Sequence, residues 1–328
     1  MAVDPQTADP LERLGEEFAL TTPVERKRLL VITNPFATTV SQQLKKLVVY
    51  ALESRYDVEH LDTQRPDHAT ELCREAAAEG YDAVVSFGGD GTVNECANGL
   101  AGSSTPLTCL PGGATNVLCK MLGIPGDLVD ATEHLLQLGD RWRVDTVDLA
   151  QVNDRYFTFS AGVGVDAAVV KEVDARPHLK HRFGPWYFAH RAIHVAIRDY
   201  LWRPPRFSLA AQGVEIEGMT AIVQNGDPFT YFDEHPLHVA ENISITSGTL
   251  AAIVLRRARP HDVPMIAFRL LAPGSRMIDH THIEQLPVAT EFVMRAPVPV
   301  PLEVDGDYIG DVDHAVFRVL PRGLRVVR

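Results

Sequence analysis

The sequence predicts a three-layer α/β domain followed by a β-rich, sandwich-like domain. Three observations carry this expectation. Between residues 29 and 87, short apolar runs alternate with stretches whose apolar residues recur at helical spacing, the pattern of a parallel sheet covered on both faces. Beyond residue 143 the texture changes to many short strand-like runs. No uncharged apolar run of about 18 residues occurs, so a membrane-spanning helix is not expected.

Taken in order, residues 1–27 hold several prolines and acids with little apolar periodicity and are expected to form a flexible lead-in. Residues 29–33 read as a buried strand stopped by Asn34-Pro35. Residues 40–54 have helical spacing, 57–61 read as a strand, 67–79 as a helix and 83–87 as a further buried strand. In the second half 143–152, 156–160, 207–211, 220–224 and 250–255 read as strands. Residues 185–202 read as a helical insertion, with Pro185 at a favourable first-turn position. The expected domains are therefore 28–143 and 144–310.

Composition narrows the setting. Cys73, Cys96, Cys109 and Cys119 follow no CxxC spacing and fall in regular segments, which suits buried thiols in a reducing compartment. The acidic, polar start lacks the basic and apolar blocks of a secretory signal, so a cytoplasmic chain is expected. A formal net charge of −12 opposes general attraction to nucleic acid or anionic lipid, which leaves short-range basic patches for any membrane contact.

The most informative string is Val84-Val85-Ser86-Phe87-Gly88-Gly89-Asp90-Gly91-Thr92-Val93-Asn94. A buried strand runs into three glycines, residues that lack a Cβ, tolerate positive φ and let backbone N–H groups close on an anion. Where a strand gives way to a helix, such groups converge on phosphate. Asp90 beside phosphates makes electrostatic sense with Mg²⁺ between them. The same string also suits a plain strand-to-helix turn capped by Asp90. It is neither a P-loop nor a GxGxxG fingerprint.

Gly-Gly-Asp-Gly-Thr is similar to the signature of diacylglycerol, sphingosine and ceramide kinases and, more distantly, of NAD kinases. Other segments extend the resemblance to bacterial diacylglycerol kinase-like lipid kinases. Asn34-Pro35 resembles that family's opening turn, and Thr63-Gln64 with His68 to Leu72 its ribose-side threonine and helix. Leu110 to Asn116 resembles the second nucleotide loop, Ala161 to Asp166 the entry to the second domain, and Val304-Asp305-Gly306-Asp307 the late Asp-Gly-Glu. The resemblance implies an ATP- and Mg²⁺-dependent lipid kinase whose last strands, 311–328, complete the nucleotide-binding domain. It implies nucleotide contacts at Asn34, Pro35, Thr63, Gly88, Gly89, Asp90, Gly91, Thr92, Asn94, Gly113, Thr115 and Asn116. It also implies Asp307 as general base and Asp90 beside the metal and the reacting phosphate. Phosphoryl transfer needs just these functions: phosphate positioning, charge neutralisation and a carboxylate for the attacking hydroxyl.

Several positions depart from the family pattern. Phe36-Ala37-Thr38-Thr39 stands where small residues, glycine and lysine are usual, Ala114 and Val117 replace a threonine and an aspartate, and Asp307 replaces a glutamate. Asp305-Gly306 is equally a common hairpin turn. Thr246-Ser247-Gly248-Thr249-Leu250-Ala251 replaces the family's Asp-Asp-Gly-x-Leu-Asp, and hydroxyls are poor ligands for a hard cation, so a second Mg²⁺ site is not expected. His190 and His194 lack the glutamate of HExxH and read as hydrogen-bonded or solvated. The basic residues Arg176 to Arg182 precede an aromatic stretch read as core, with Lys180 as a candidate phosphate or lipid contact. The expected partners are the nucleotide, a diacylglycerol-like or sphingoid lipid reached by peripheral membrane contact, and a second copy in a homodimer, but no nucleic acid. An NAD kinase-like enzyme and an inactive nucleotide-binding regulator are the alternatives.

Overall fold

The computed structural model describes residues 26–35, 40–139, 142–174, 206–232, 235–259, 262, 265, 266, 269 and 276–328. The expected insertion at 185–202, the basic cluster with Lys180, and His190 and His194 lie outside these residues, as does most of the expected lead-in.

The first half alternates strands β1 (Arg28–Thr33), β2 (Asp57–Asp62), β3 (Ala83–Gly88) and β4 (Leu107–Pro111) with helices. These are α1 (Gln42–Glu53), α2 (His68–Glu79), α3 (Asp90–Leu100), α4 (Val117–Met121) and α5 (Leu128–Leu138). β1 pairs in parallel with both β2 and β3, and β3 with β4. Helices on both faces leave β3 and β4 buried at every residue, the reason their sequences do not alternate. Ser41 accepts the Leu44 amide at 3.2 Å and starts α1, which turns Lys45, Val48, Val49 and Leu52 inward at helical spacing. Gly80, at φ +73°, ends α2. Asp127 caps α5 by accepting the amides of Val129 and Asp130.

The second half begins with strands β5 (Val144–Val152), β6 (Arg155–Phe157) and β7 (Ser160–Gly164), then α6 (Val165–Asp174). β8 (Phe207–Ala211), β9 (Val214–Gly218), β10 (Thr220–Gln224), β11 (Thr230–Phe232), β12 (His235–Leu237), β13 (Ala251–Leu255) and β14 (Ile283–Gln285) follow. The long hairpin of β15 (Glu291–Val304) and β16 (Asp307–Val327) closes the chain. The run 156–160, read from the sequence as one strand, is split. The amides of Thr158, Phe159 and Ser160 turn away from any ladder to bond the Asp305 carboxylate, which ends β6 and restarts the chain as β7.

Among the described residues fourteen strands share one sheet, with the central order β14-β13-β10-β7-β15-β16-β4-β3-β1-β2. The fold is the predicted one, an α/β half followed by a strand-rich half. β16 joins the halves. Its first part pairs with β15, its last part with β5, and Val326 reaches β4. One apolar core surrounds β1, β3 and β4 and includes Leu324, Val326 and Val327; a second surrounds Phe157, Phe207, Phe292 and Phe317. All four cysteines are buried and free. No helix among the described residues is long and apolar enough to cross a membrane.

Tyr56 joins α5 to the sheet edge: its ring is buried and its hydroxyl donates to the Leu135 carbonyl at 2.6 Å. Tyr56→Phe removes that bond and strands a buried carbonyl, so it is expected to cost about 1–2 kcal/mol in urea unfolding at an unchanged m value.

Candidate active site

The glycine corner is a contact between two loops. Gly88 ends β3, Asp90 opens α3, and Gly112-Gly113 follow β4 directly. A Cβ added to Gly113 would lie 2.6 Å from the Gly89 Cα, and one on Gly112 would lie 3.1 Å from the Gly88 Cα. Backbone thus packs on backbone, sealed by the Gly112 amide donating to the Gly88 carbonyl at 2.9 Å. A Cβ on Gly88 would strike the Thr92 side chain, and one on Gly91 would lie 2.8 Å from Asp307 Oδ2. Positive φ, anticipated as one use of these glycines, occurs at none of them. Close approach is the constraint instead.

Asp90 braces the same two loops. Its Oδ2 accepts the Thr115 hydroxyl and its Oδ1 the Val117 amide, both at 2.6 Å. Val117, which replaces the family's aspartate, therefore contributes through its backbone. Burial pushes the Asp90 carboxyl up from its ordinary value, against the pull of the Thr115 and Val117 hydrogen bonds. Asn116, at φ +50°, accepts the Gly113 amide and donates to the Gly113 carbonyl, both at 2.9 Å. In the first half, Lys45 is buried on α1 and donates to the Asn34 carbonyl at 2.7 Å. Burial lowers its pKa, opposed by Asp62.

A second network ties α3 to the strand-rich half. Asn94 is fully buried; its Nδ2 donates to Asp305 Oδ2 at 2.8 Å and its Oδ1 accepts from Arg155 Nη2 at 2.9 Å. Arg155 Nη1 bridges to Asp67 at 2.6 Å, at the start of α2. Asp305 also accepts the Thr158 amide and hydroxyl at 2.7 and 2.8 Å, the Phe159 amide at 3.0 Å and the Ser160 amide at 3.2 Å. Burial raises the Asp305 pKa, and these donors pull it back. Asp305 and Gly306 have φ of +49° and +83°, the backbone of a two-residue hairpin turn. The sequence left open whether Asp-Gly-Asp is such a turn or a reactive segment. The first two residues make the turn, and Asp307 is delivered by it onto Gly91.

These elements surround a cavity of about 920 Å³. Asn34, Thr63, Gly91, Thr92 and Asp307 line it. Pro35, Gly88, Gly89, Asp90, Asn94, Gly113, Thr115 and Asn116 do not; the bonds above show that most of them shape the wall from behind. Sequence reasoning missed Arg155, which lines the cavity beside Asn153 at the tip of the β5–β6 hairpin. It also missed the apolar wall of Val152, Leu302, Ile309 and Val312. A lone arginine after a turn carries no periodic signal, and the wall is assembled from two distant hairpins.

Away from the cavity, the segment that replaces the Asp-Asp-Gly motif is held without carboxylates of its own. Buried Asp148 accepts the Gly248 amide at 2.6 Å and the Arg322 amide at 2.8 Å, while Ser244, Ser247 and Thr249 bond locally. Among the described residues no three histidine, cysteine, aspartate or glutamate side chains gather as a metal nest.

Residues 28–151 match the diacylglycerol kinase catalytic domain. Over this stretch the chain is similar to bacterial diacylglycerol kinases and lipid kinases. Diacylglycerol kinase of Bacillus subtilis (strain 168) is 26% identical over 293 residues, 87% of this chain and 91% of that one. A relative from Streptococcus pneumoniae serotype 4 is 31% identical over 180 residues, 54% of this chain and 59% of that protein. Diacylglycerol kinase of Staphylococcus aureus (strain MRSA252) is 31% identical over 169 residues, 50% of this chain and 51% of that one. The chain thus spans only half to three fifths of the length of these last two lipid kinase relatives. A crystal structure of a diacylglycerol kinase from Bacillus anthracis str. Sterne shares the fold, with a TM-score of 0.66, 21% identity and coverage of 92% and 97%. Within this fold the loop-to-loop glycine contact is directly testable. Gly113→Ala is expected to part the two loops and cost about 1–3 kcal/mol. A lowered midpoint in thermal unfolding checks it.

Proposed function

We propose that the chain is an ATP-dependent lipid kinase that transfers the terminal phosphoryl group of ATP to the hydroxyl of a diacylglycerol-like or sphingoid lipid. The observation that carries this reading is the seating of Asp307 against Gly91, in one cavity with Asn34, Thr63 and Thr92. The first amides of α3 have no carbonyl within the helix to bond, and the helix dipole favours an anion there. The phosphates therefore belong at Gly91 and Thr92, with the ribose toward Thr63.

Asp307 then faces the point where an acceptor hydroxyl would meet the terminal phosphate. Its carboxylate takes the hydroxyl proton as the oxygen bonds phosphorus and the bond to ADP breaks. The shorter aspartate serves because the hairpin turn already places it over Gly91. The apolar wall of Leu302, Ile309 and Val312 suits the acceptor's hydrocarbon part, which implies peripheral contact with a membrane.

Magnesium was expected at Asp90. Both Asp90 oxygens already accept hydrogen bonds, and the carboxylate does not line the cavity, so Asp90 does not fit as a direct ligand in this arrangement. An ion carried by the nucleotide's own phosphates remains part of the proposal, and no step is derived through it.

Labelled ATP incubated with Mg²⁺, a panel of diacylglycerols, monoacylglycerols and sphingoid bases, and NAD is expected to label a lipid. Label in NADP, or in nothing, overturns the reading. Asp307→Asn is expected to lower kcat by about 10²–10⁴-fold with ATP affinity nearly unchanged. Single-turnover rates and equilibrium nucleotide binding separate the two effects.

A further inference from the structure

Behind the Asp307 turn lies a pair of acids for which the mechanism has no use. Glu303 lies four residues before Asp307, one from the end of β15 on the other arm of the hairpin, and is buried. Asp166 lies in the first turn of α6. The two carboxyl groups face each other across Gly162. Both press on Gly162, where an added Cβ would lie 2.5 Å from Asp166 Oδ2 and 2.6 Å from Glu303 Oε1. The other Glu303 oxygen, Oε2, accepts the Gly306 amide at 2.8 Å, inside the turn itself.

Two carboxyl groups in contact cannot form a hydrogen bond when both are ionised, since neither then carries a proton to donate. Among the described residues, the groups that act most on the pair are the Gly306 amide and the carboxylates of Asp305 and Asp307, none of them a cation. The nearby Lys171 of α6 is engaged by Asp311 at 2.8 Å and lies over the Tyr308 ring. A proton held between the acids removes that repulsion and lets them bond. The helix dipole favours the charge on Asp166, at the start of α6, which leaves the proton on Glu303. A protonated Glu303 can donate from Oε1 toward Asp166 while Oε2 accepts from Gly306; Oε1 does lie beside Gly162 with Asp166 Oδ2, and Oε2 is bonded to the turn.

We propose that Glu303 is a positioning residue: through a proton shared with Asp166 it holds the turn that presents Asp307 to the reacting hydroxyl. This rests on the reading of Asp307 as the base. It makes the site sensitive to alkali. Burial and the Asp166 charge hold the Glu303 carboxyl well above its ordinary 4.5, and burial lifts Asp166 to about 6. The folded chain thus keeps a proton that the unfolded chain has released. Stability falls as pH rises from the ordinary carboxylate range toward the folded values, and once Glu303 ionises the clamp opens.

Glutamine has the shape and donor of protonated glutamate, so Glu303→Gln and Glu303→Ala separate the proton from the mere side chain. Near pH 7, Glu303→Gln is expected to keep kcat within about twofold of wild type, whereas Glu303→Ala loses about tenfold or more with KM for ATP little changed. On the alkaline side wild-type kcat and Tm are expected to fall more steeply than those of Glu303→Gln. A Glu303→Gln enzyme as impaired as Glu303→Ala at pH 7, or Tm curves for wild type and Glu303→Gln that fall in parallel, would overturn the proposal. The Tm curves decide the shared proton even if no lipid takes label, in which case the kinase reading alone has failed.

Discussion

The site depends on one buried charge. Asp305 has no contact with the cavity, yet its carboxylate gathers donors from α3, through Asn94, and from the chain between β6 and β7. Hydrogen bonds to a charged group contribute about 1.5–3 kcal/mol each when well made, and a buried carboxylate left without them is costly by more. The chain therefore has one arrangement in which this group is satisfied. In it the hairpin turn is pinned to the helix that follows the glycine corner, and Asp307 and Gly91 meet as a result. An acid two residues from Asp307 does the positioning.

The glycine corner follows the same logic. Gly89 and Gly113 are glycines because two backbones touch there, and Gly91 because a carboxylate lies over it. Asp90 then stitches the loops together by accepting from Thr115 and Val117. Several residues of the motif bond within the framework around the cavity, and few of them face it.

The fold was largely legible in the sequence because its signals are local. β1, α1, β2, α2 and β3 announce themselves by apolar period, a capping serine and a terminal glycine, each within a window of a few residues. The short β4 and the helix α5 were not read out, although Leu107 to Leu110 and the Asp127 cap carry the ordinary signals. The lining of the cavity was legible where a motif marked it, at Asn34, Thr63, Gly91, Thr92 and Asp307. It was illegible where partners lie far apart in the chain. Nothing local says that Arg155 will meet Asp67 and Asn94, or that Asp166 will meet Glu303. The break at Thr158-Phe159 was hidden for the same reason, since the carboxylate that causes it arrives nearly 150 residues later.

Strand β16 runs for 21 residues, from Asp307 at the cavity to Val327 in the α/β core. The two halves are therefore not beads on a string. If the cleft widens to admit a nucleotide or a lipid, the motion is a flexing of this shared ribbon, since rigid swivelling would tear its ladder. The ladder with β5 is interrupted between Leu320 and Leu324, and that gap is where such a ribbon yields first. Opening and closing would then twist the far end of the very strand whose near end carries Asp307, coupling the width of the entrance to the aim of that carboxylate.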